Sequence, residues 1–264
     1  MNEQMIQEFR QRLSDGQKVI GPFMKTCDPA FVEAAGWAGM DFVILDMEHG
    51  PINIQNLQNN IRASQVAGVF PVVRVGSISE EAIGRALDIG AAAIEVPQIC
   101  TAQDARRAIE LARFHPLGHR GVCRFVRSAH YSNLPKEGYF RSANEILIIA
   151  QLEGTEAIKN LEDILEVPGI DILFIGPYDL SQSLGVPGQV THPDVIRQMQ
   201  TIVDRAKEKQ ITVGTFSDSP ETLALWAGAG VQYIAYSVDV GLFTDTCRGL
   251  KKQFTALDTP LGSA

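Results

Sequence analysis

The run Phe42-Val43-Ile44-Leu45-Asp46-Met47-Glu48-His49-Gly50-Pro51 opens on four apolar residues and closes on charge, imidazole and a Gly-Pro break. A short apolar stretch of this kind fits a strand buried on both faces, and the polar residues that end it fall at the strand's C-terminal edge. The same form recurs on either side. VIGPFM from Val19, FPVVRV from Phe70 and AAAIEVP from Ala91 join FVILDM from Phe42 in the first half, while ILIIAQLE from Ile146, DILFIG from Asp171, ITVGTF from Ile211 and QYIAYSV from Gln232 occupy the second. Eight strands are expected.

Between them lie stretches with helical spacing at 29–38, 54–67, 80–89, 102–112, 156–165, 193–209 and 220–229. Ahead of the first strand, Met5, Phe9 and Leu13 repeat at helical intervals with Ile6 alongside, and Asp15-Gly16 ends that leading helix. Eight strands alternating with helices predict an α/β fold, a (β/α)8 TIM barrel in one domain. An open doubly wound sheet has the same alternation, but no GxGxxG marks the first strand-to-helix turn. The barrel is expected over 1–254 and a fraying tail over 255–264. One long irregular stretch, 114–144, has the length of a lid or an interface arm.

The 264 residues are 45% hydrophobic with a formal charge of -8, a balance that argues against a nucleic-acid partner. Cys27, Cys100, Cys123 and Cys247 form no CxxC pair, so reduced thiols fit better than a zinc knuckle or a disulfide framework. The opening MNEQMIQEFRQRL lacks the apolar core of a signal peptide, and no apolar run has membrane-spanning length. A cytoplasmic protein without membrane contact is expected.

Active sites of barrels gather at strand C-termini. There the second strand offers Asp46, Glu48 and His49, the third Arg74, the fifth Gln151 and Glu153, and the sixth Tyr178 and Asp179. Each has a plainer role: Asp179 as a helix cap, Glu153 as a solvated acid at a helix start, Arg74 in a structural salt bridge, His49 as a turn-stabilising ring. Taken together, two carboxylates without thiolate or paired histidine make a hard oxygen site suited to Mg²⁺, Mn²⁺ or Co²⁺. Two protein ligands leave room for water and a chelating 2-oxo acid. His49 supplies an imidazole, the side-chain type suited to a general base. His115, His119, His130 and His192 read as surface or capping residues.

DMEHGP, PVVR, LDIGA, AQLEG and FIGPYDLS, in this order and at these strand ends, resemble the class II pyruvate aldolases of the HpcH/HpaI type, which act on 4-hydroxy-2-oxoheptanedioate or 2-dehydro-3-deoxy sugar acids. The likeness covers nearly the whole chain. It implies that Glu153 and Asp179 bind the divalent metal, and that Gln151 and the backbone around Tyr178 and Asp179 hold the pyruvyl unit. Arg74 would stabilise oxyanion charge, with His49 paired to Asp88 of LDIGA as the proton-transferring base. It further implies cleavage of a 4-hydroxy-2-oxo acid to pyruvate and an aldehyde, and a homohexamer of paired trimers exchanging C-terminal helices over 240–254. The chain departs from the family pattern at Cys123-Arg124-Phe125-Val126-Arg127, where two cations are expected near the mouth, either on an anionic acceptor or in salt bridges. The rival readings are a Schiff-base aldolase using Lys25, an oxaloacetate-type decarboxylase, a CoA-ester lyase and a non-catalytic barrel.

Overall fold

A computed structural model of the chain describes residues 3–257. The first half runs α1 (Glu3–Ser14), β1 (Val19–Met24), α2 (Pro29–Trp37), β2 (Phe42–Asp46), α3 (Ile54–Ala67), β3 (Phe70–Arg74), α4 (Glu80–Asp88), β4 (Ala93–Ile99) and α5 (Ala102–Ala112). After a 3₁₀ turn (Arg127–Ser132) come α6 (Lys136–Ala143), β5 (Leu147–Leu152), α7 (Gly154–Lys159), α8 (Leu161–Leu165), β6 (Ile172–Ile175) and α9 (Pro177–Ser183). The chain continues through α10 (Pro193–Glu208), β7 (Thr212–Ser217), α11 (Pro220–Gly228), β8 (Tyr233–Val238) and α12 (Asp239–Leu257). The eight strands close into a barrel in chain order, every neighbouring pair parallel, with β8 returning to β1. The fold is the expected (β/α)8 barrel with a leading helix.

Local chemistry sets where the chain leaves the mouth. Asp28, Asn53, Ser79, Thr101 and Ser219 each accept a backbone N–H from the first turn of the helix that follows, so the loops after β1, β2, β3, β4 and β7 all end on a cap. At the other end α1 seals the barrel. Its Ile6, Phe9 and Leu13 are buried, and Phe9 stacks on Phe70 at 4.0 Å and meets Phe42 edge-on at 6.3 Å. Phe42 and Phe70 begin β2 and β3, so this aromatic group is the floor; truncating Phe9 to alanine would cost about 3–5 kcal/mol.

Three expectations need correction. The helix expected over 156–165 is two, because the chain turns at Asn160, whose amide donates to the Cys100 carbonyl at 2.9 Å. The stretch 114–144 is not irregular throughout: it carries the 3₁₀ turn and α6, packed around Phe114, Ala129, Tyr139 and Ala143. It joins the end of α5 to the start of β5, which places it on the N-terminal face, away from this chain's own mouth. The C-terminal helix begins at Asp239 and runs to Leu257, three residues into the expected tail, and residues 258–264 lie outside the described part. No helix of the described residues is long and apolar enough to cross a membrane.

Candidate active site

Asp46 ends β2 with its carboxylate fully buried, and it is the hub of the mouth. Arg74, at the end of β3, donates to it through Nε at 2.8 Å and Nη2 at 2.7 Å, and Lys25, just beyond β1, donates through Nζ. Burial opposes ionisation of Asp46, but the hydrogen bonds from Arg74 and Lys25 outweigh it and hold the carboxyl at about 2. The same carboxylate accepts the backbone N–H groups of Glu48 and His49 at 3.0 and 3.2 Å, which folds the turn after β2 back over the strand end. Gly50 is required there, since a Cβ would stand 2.3 Å from the Asp46 carbonyl oxygen. With Nζ held by Asp46, Lys25 is engaged as an ammonium and is poorly placed to be a Schiff-base nucleophile.

Arg74 also stands 3.2 Å from Glu48 through Nη1 and lies over the Phe23 ring at 4.6 Å. Beside it in register, on β4, is Glu95, fully buried, with neither carboxyl oxygen hydrogen-bonded among the described residues. Burial, only partly offset by Arg74 and reinforced by Asp46, Glu48 and Glu153, pushes this carboxyl up to about 8, so it is neutral at pH 7. Tyr233, from β8, is likewise fully buried with its hydroxyl unpaired.

Across the mouth, Gln151 is the fifth residue of the six-residue strand β5, and its amide donates to Glu153 Oε1 at 2.5 Å, leaving the amide oxygen buried and unpaired. Glu153 makes no capping bond to α7, and burial together with the charges of Glu48 and Asp179 raises its pKa against the opposing effects of Gln151 and Arg74. Asp179 lies in the first turn of α9, whose cap position is Gly176, and no side chain caps that helix. A Cβ at Gly176 would stand 2.6 Å from Asp179 Oδ2, so glycine leaves the space that the carboxylate occupies. Among the described residues neither Glu153 nor Asp179 forms an ion pair. The Tyr178 hydroxyl turns outward to Asp218 at 3.0 Å, leaving its backbone as the part available to a ligand. His49 is exposed, with Nε2 3.9 Å from Glu48 Oε2.

Asp88 is not part of this cluster. It ends α4, and a helix that returns the chain to the start of β4 finishes on the N-terminal face, opposite His49. There its carboxylate accepts Arg120 Nη2 at 2.8 Å, so the expected His49–Asp88 pair is not formed within the chain. Arg124 and Arg127 are also away from the mouth. Arg124 donates to the carbonyls of Ser132 and Leu134, and Arg127 to the Ile89 carbonyl and the Gln65 amide oxygen. His192 is the N-cap of α10, as its place before Pro193 implied.

Sequence reading assigned no role to Asp46, Glu48 or Glu95. A signal for Asp46 and Glu95 was present, an acid inside an apolar strand run, because such a group is buried only with a partner or as the neutral acid.

Lys25 and Arg74 pair with Asp46 and Glu48, which leaves Glu153 and Asp179 as excess negative charge, that of Asp179 felt at Glu153. That excess and the all-oxygen donor set fit one hard divalent cation. Among the described residues no group of three or more His, Cys, Asp or Glu side chains forms a metal cage, so water and substrate would complete the shell.

Comparisons with known proteins identify the family. The HpcH/HpaI aldolase/citrate lyase family matches residues 20–246. The chain is 34% identical over 247 residues to a 2-keto-3-deoxy-L-rhamnonate aldolase of Escherichia coli, covering 93% of this chain and 92% of that one. A family protein from Burkholderia cenocepacia J2315 superposes with a TM-score of 0.87 at 32% identity, covering 94% of this chain and 99% of the other. The citrate synthase SbnG superposes at 0.82 with 30% identity, over 94% and 98%. The chain therefore belongs to the HpcH/HpaI aldolase/citrate lyase family and is a carbon–carbon lyase of the aldolase kind.

Proposed function

We propose that the chain uses a divalent cation held by Glu153 and Asp179 to interconvert a 4-hydroxy-2-oxo acid with pyruvate and an aldehyde. The observation that carries this reading is the pair of carboxylates at the mouth, Glu153 and Asp179, which form no ion pair among the described residues, with Glu153 raised in pKa by burial and by its acidic neighbours. When bound there, Mg²⁺, Mn²⁺ or Co²⁺ supplies Lewis-acid polarisation of the keto oxygen.

The remaining work falls to the chain. Gln151 and the N–H groups at the start of α9 orient the 2-oxo acid, and the free Gln151 amide oxygen accepts from a hydrated or hydroxylated group beside it. Arg74, gripped in a fixed fork by Asp46, presents Nη1 to negative charge that grows on the pyruvyl unit as the C3–C4 bond breaks. His49 accepts the proton of the 4-hydroxyl, directly or through a water, and returns it in the condensing direction. Among the described residues, Glu48 is the carboxylate within ion-pairing distance of its ring, at 3.9 Å. A part for Asp88 requires a second copy, whose α4 terminus would approach this mouth.

Association of copies is supported by α12, on which Phe243, Leu250, Phe254 and Leu257 are exposed apolar residues. We assign the assembly as the homohexamer implied by resemblance, in a cytoplasmic setting; sedimentation of the native protein tests the former.

The decisive experiment follows proton exchange at the pyruvate methyl group by NMR in D₂O with Mg²⁺. Exchange abolished by chelator and by Glu153→Ala supports the reading. Metal-independent exchange would return the argument to Lys25, and a wild-type protein that binds Mn²⁺ and pyruvate without exchange would be a non-catalytic barrel.

A further inference from the structure

Within β4 every residue is buried except Gln98, which is exposed. Gln98 also has a backbone φ of 60°, in the left-handed region that disfavours residues bearing a Cβ. The pairing with β5 shows how this arises. Val96 faces Ala150 and Ile99 faces Leu152, so Pro97 and Gln98 together stand opposite Gln151 alone. A bulge of this form takes the extra residue out of the strand's alternation and re-aims its side chain. Glycine would make the same turn without strain, yet this position carries a primary amide.

The place of the bulge gives the amide its meaning. β4 lies between β3, which ends in Arg74, and β5, which ends beside Gln151 and Glu153, so Gln98 stands at the rim between the groups proposed to hold the 2-oxo acid. Among the described residues it makes no hydrogen bond, and its donor and acceptor are free. Within one chain, Lys25 is committed to Asp46, and Arg124 and Arg127 donate to backbone carbonyls on the other face. A neutral group with both a donor and an acceptor matches a hydroxyl.

We infer that Gln98 is a specificity-determining residue of the aldehyde side, its amide hydrogen-bonding a hydroxyl adjacent to the aldehyde carbon. This rests on the aldolase reading and names the residue that reads its second substrate.

The test compares glycolaldehyde with acetaldehyde, equal in carbon number and differing by one hydroxyl, as acceptors for pyruvate with Mn²⁺ present. The wild type should favour glycolaldehyde by about tenfold in kcat/KM, the discrimination one well-placed hydrogen bond supplies. Gln98→Ala and Gln98→Gly should both bring the ratio close to one, and the glycine variant, relieved of its left-handed strain, should melt no lower than wild type. A wild type indifferent to the hydroxyl, or variants that keep the wild-type ratio, would overturn the inference while leaving the aldolase reading intact. A wild type showing no methyl exchange with pyruvate would overturn both.

Discussion

Glu95→Gln should stabilise the protein, and by an amount that depends on pH in a defined way. Below pH 4.5 the Glu95 carboxyl is protonated whether the chain is folded or not, and the substitution exchanges one neutral buried group for another of similar size. Between pH 4.5 and about 8 the unfolded chain releases the proton while the folded chain keeps it, so wild-type stability falls by about 1.4 kcal/mol for each pH unit. Above about 8 both states are ionised and the loss levels off at about 5 kcal/mol, the product of that slope and the interval from 4.5 to 8. Glutamine removes the slope. Urea unfolding of wild type and Glu95→Gln at pH 5, 7 and 9, with chelator present so that no metal contributes, should show a difference that is small at pH 5 and grows to several kcal/mol at pH 9. A constant difference across that range, or a variant destabilised more at high pH than at low, would refute the account of Glu95 as a buried neutral acid.

Three further outcomes follow from the site. Asp46→Asn leaves the buried Arg74 guanidinium without its ionic partner and should cost about 3–5 kcal/mol in urea unfolding; the variant should also lack the wild type's acid limb, where the stability Asp46 contributes is present above pH 3.8 and is lost as pH falls towards 2. Gly176→Ala should fold normally, because its new methyl meets only the movable end of Asp179, yet weaken Mn²⁺ binding about tenfold or more by calorimetry as that carboxylate is displaced. If Asp88 acts across a contact between copies, His49→Ala and Asp88→Asn chains, each inactive alone, should recover part of the wild-type activity when assembled together, and failure of such mixtures would confine Asp88 to its bond with Arg120.

The barrel was legible because its strands are written as apolar runs ending in polar residues, and that form is hard to satisfy in any architecture other than a buried parallel sheet. The same reading located Glu153, Asp179, Arg74 and His49 at one mouth, since direction along a strand is contained in the order of residues. What it missed has a common cause: partnership. An acid at the end of FVILD does not reveal that Arg74 and Lys25, from the strands on either side, will both reach it, and the resemblance that linked His49 to Asp88 says nothing of which face of one chain each occupies. The cations of 124–127 were expected near the mouth from their place in the family pattern; the order of elements, helix before strand, puts them at the opposite end of this chain. Gln98 was missed for another reason: a bulge is a mismatch between two strands, and its one mark in the sequence is Pro97, a residue that an interior strand accepts only at such an irregularity.

The grip of Asp46 on Lys25 and Arg74 reaches across three consecutive strands, with β2 between β1 and β3. It makes the staves of the barrel and the anion-facing arginine parts of one fastening, so a mutation that loosens this arc of the wall would disarm the enolate half of the site before it unfolds the protein. The rim residue on β4 has no such dependence. Divergence towards new aldehydes therefore has an inexpensive route, through an exposed side chain whose replacement leaves the fastening untouched, while a change in the chemistry performed on pyruvate would demand rebuilding the wall itself.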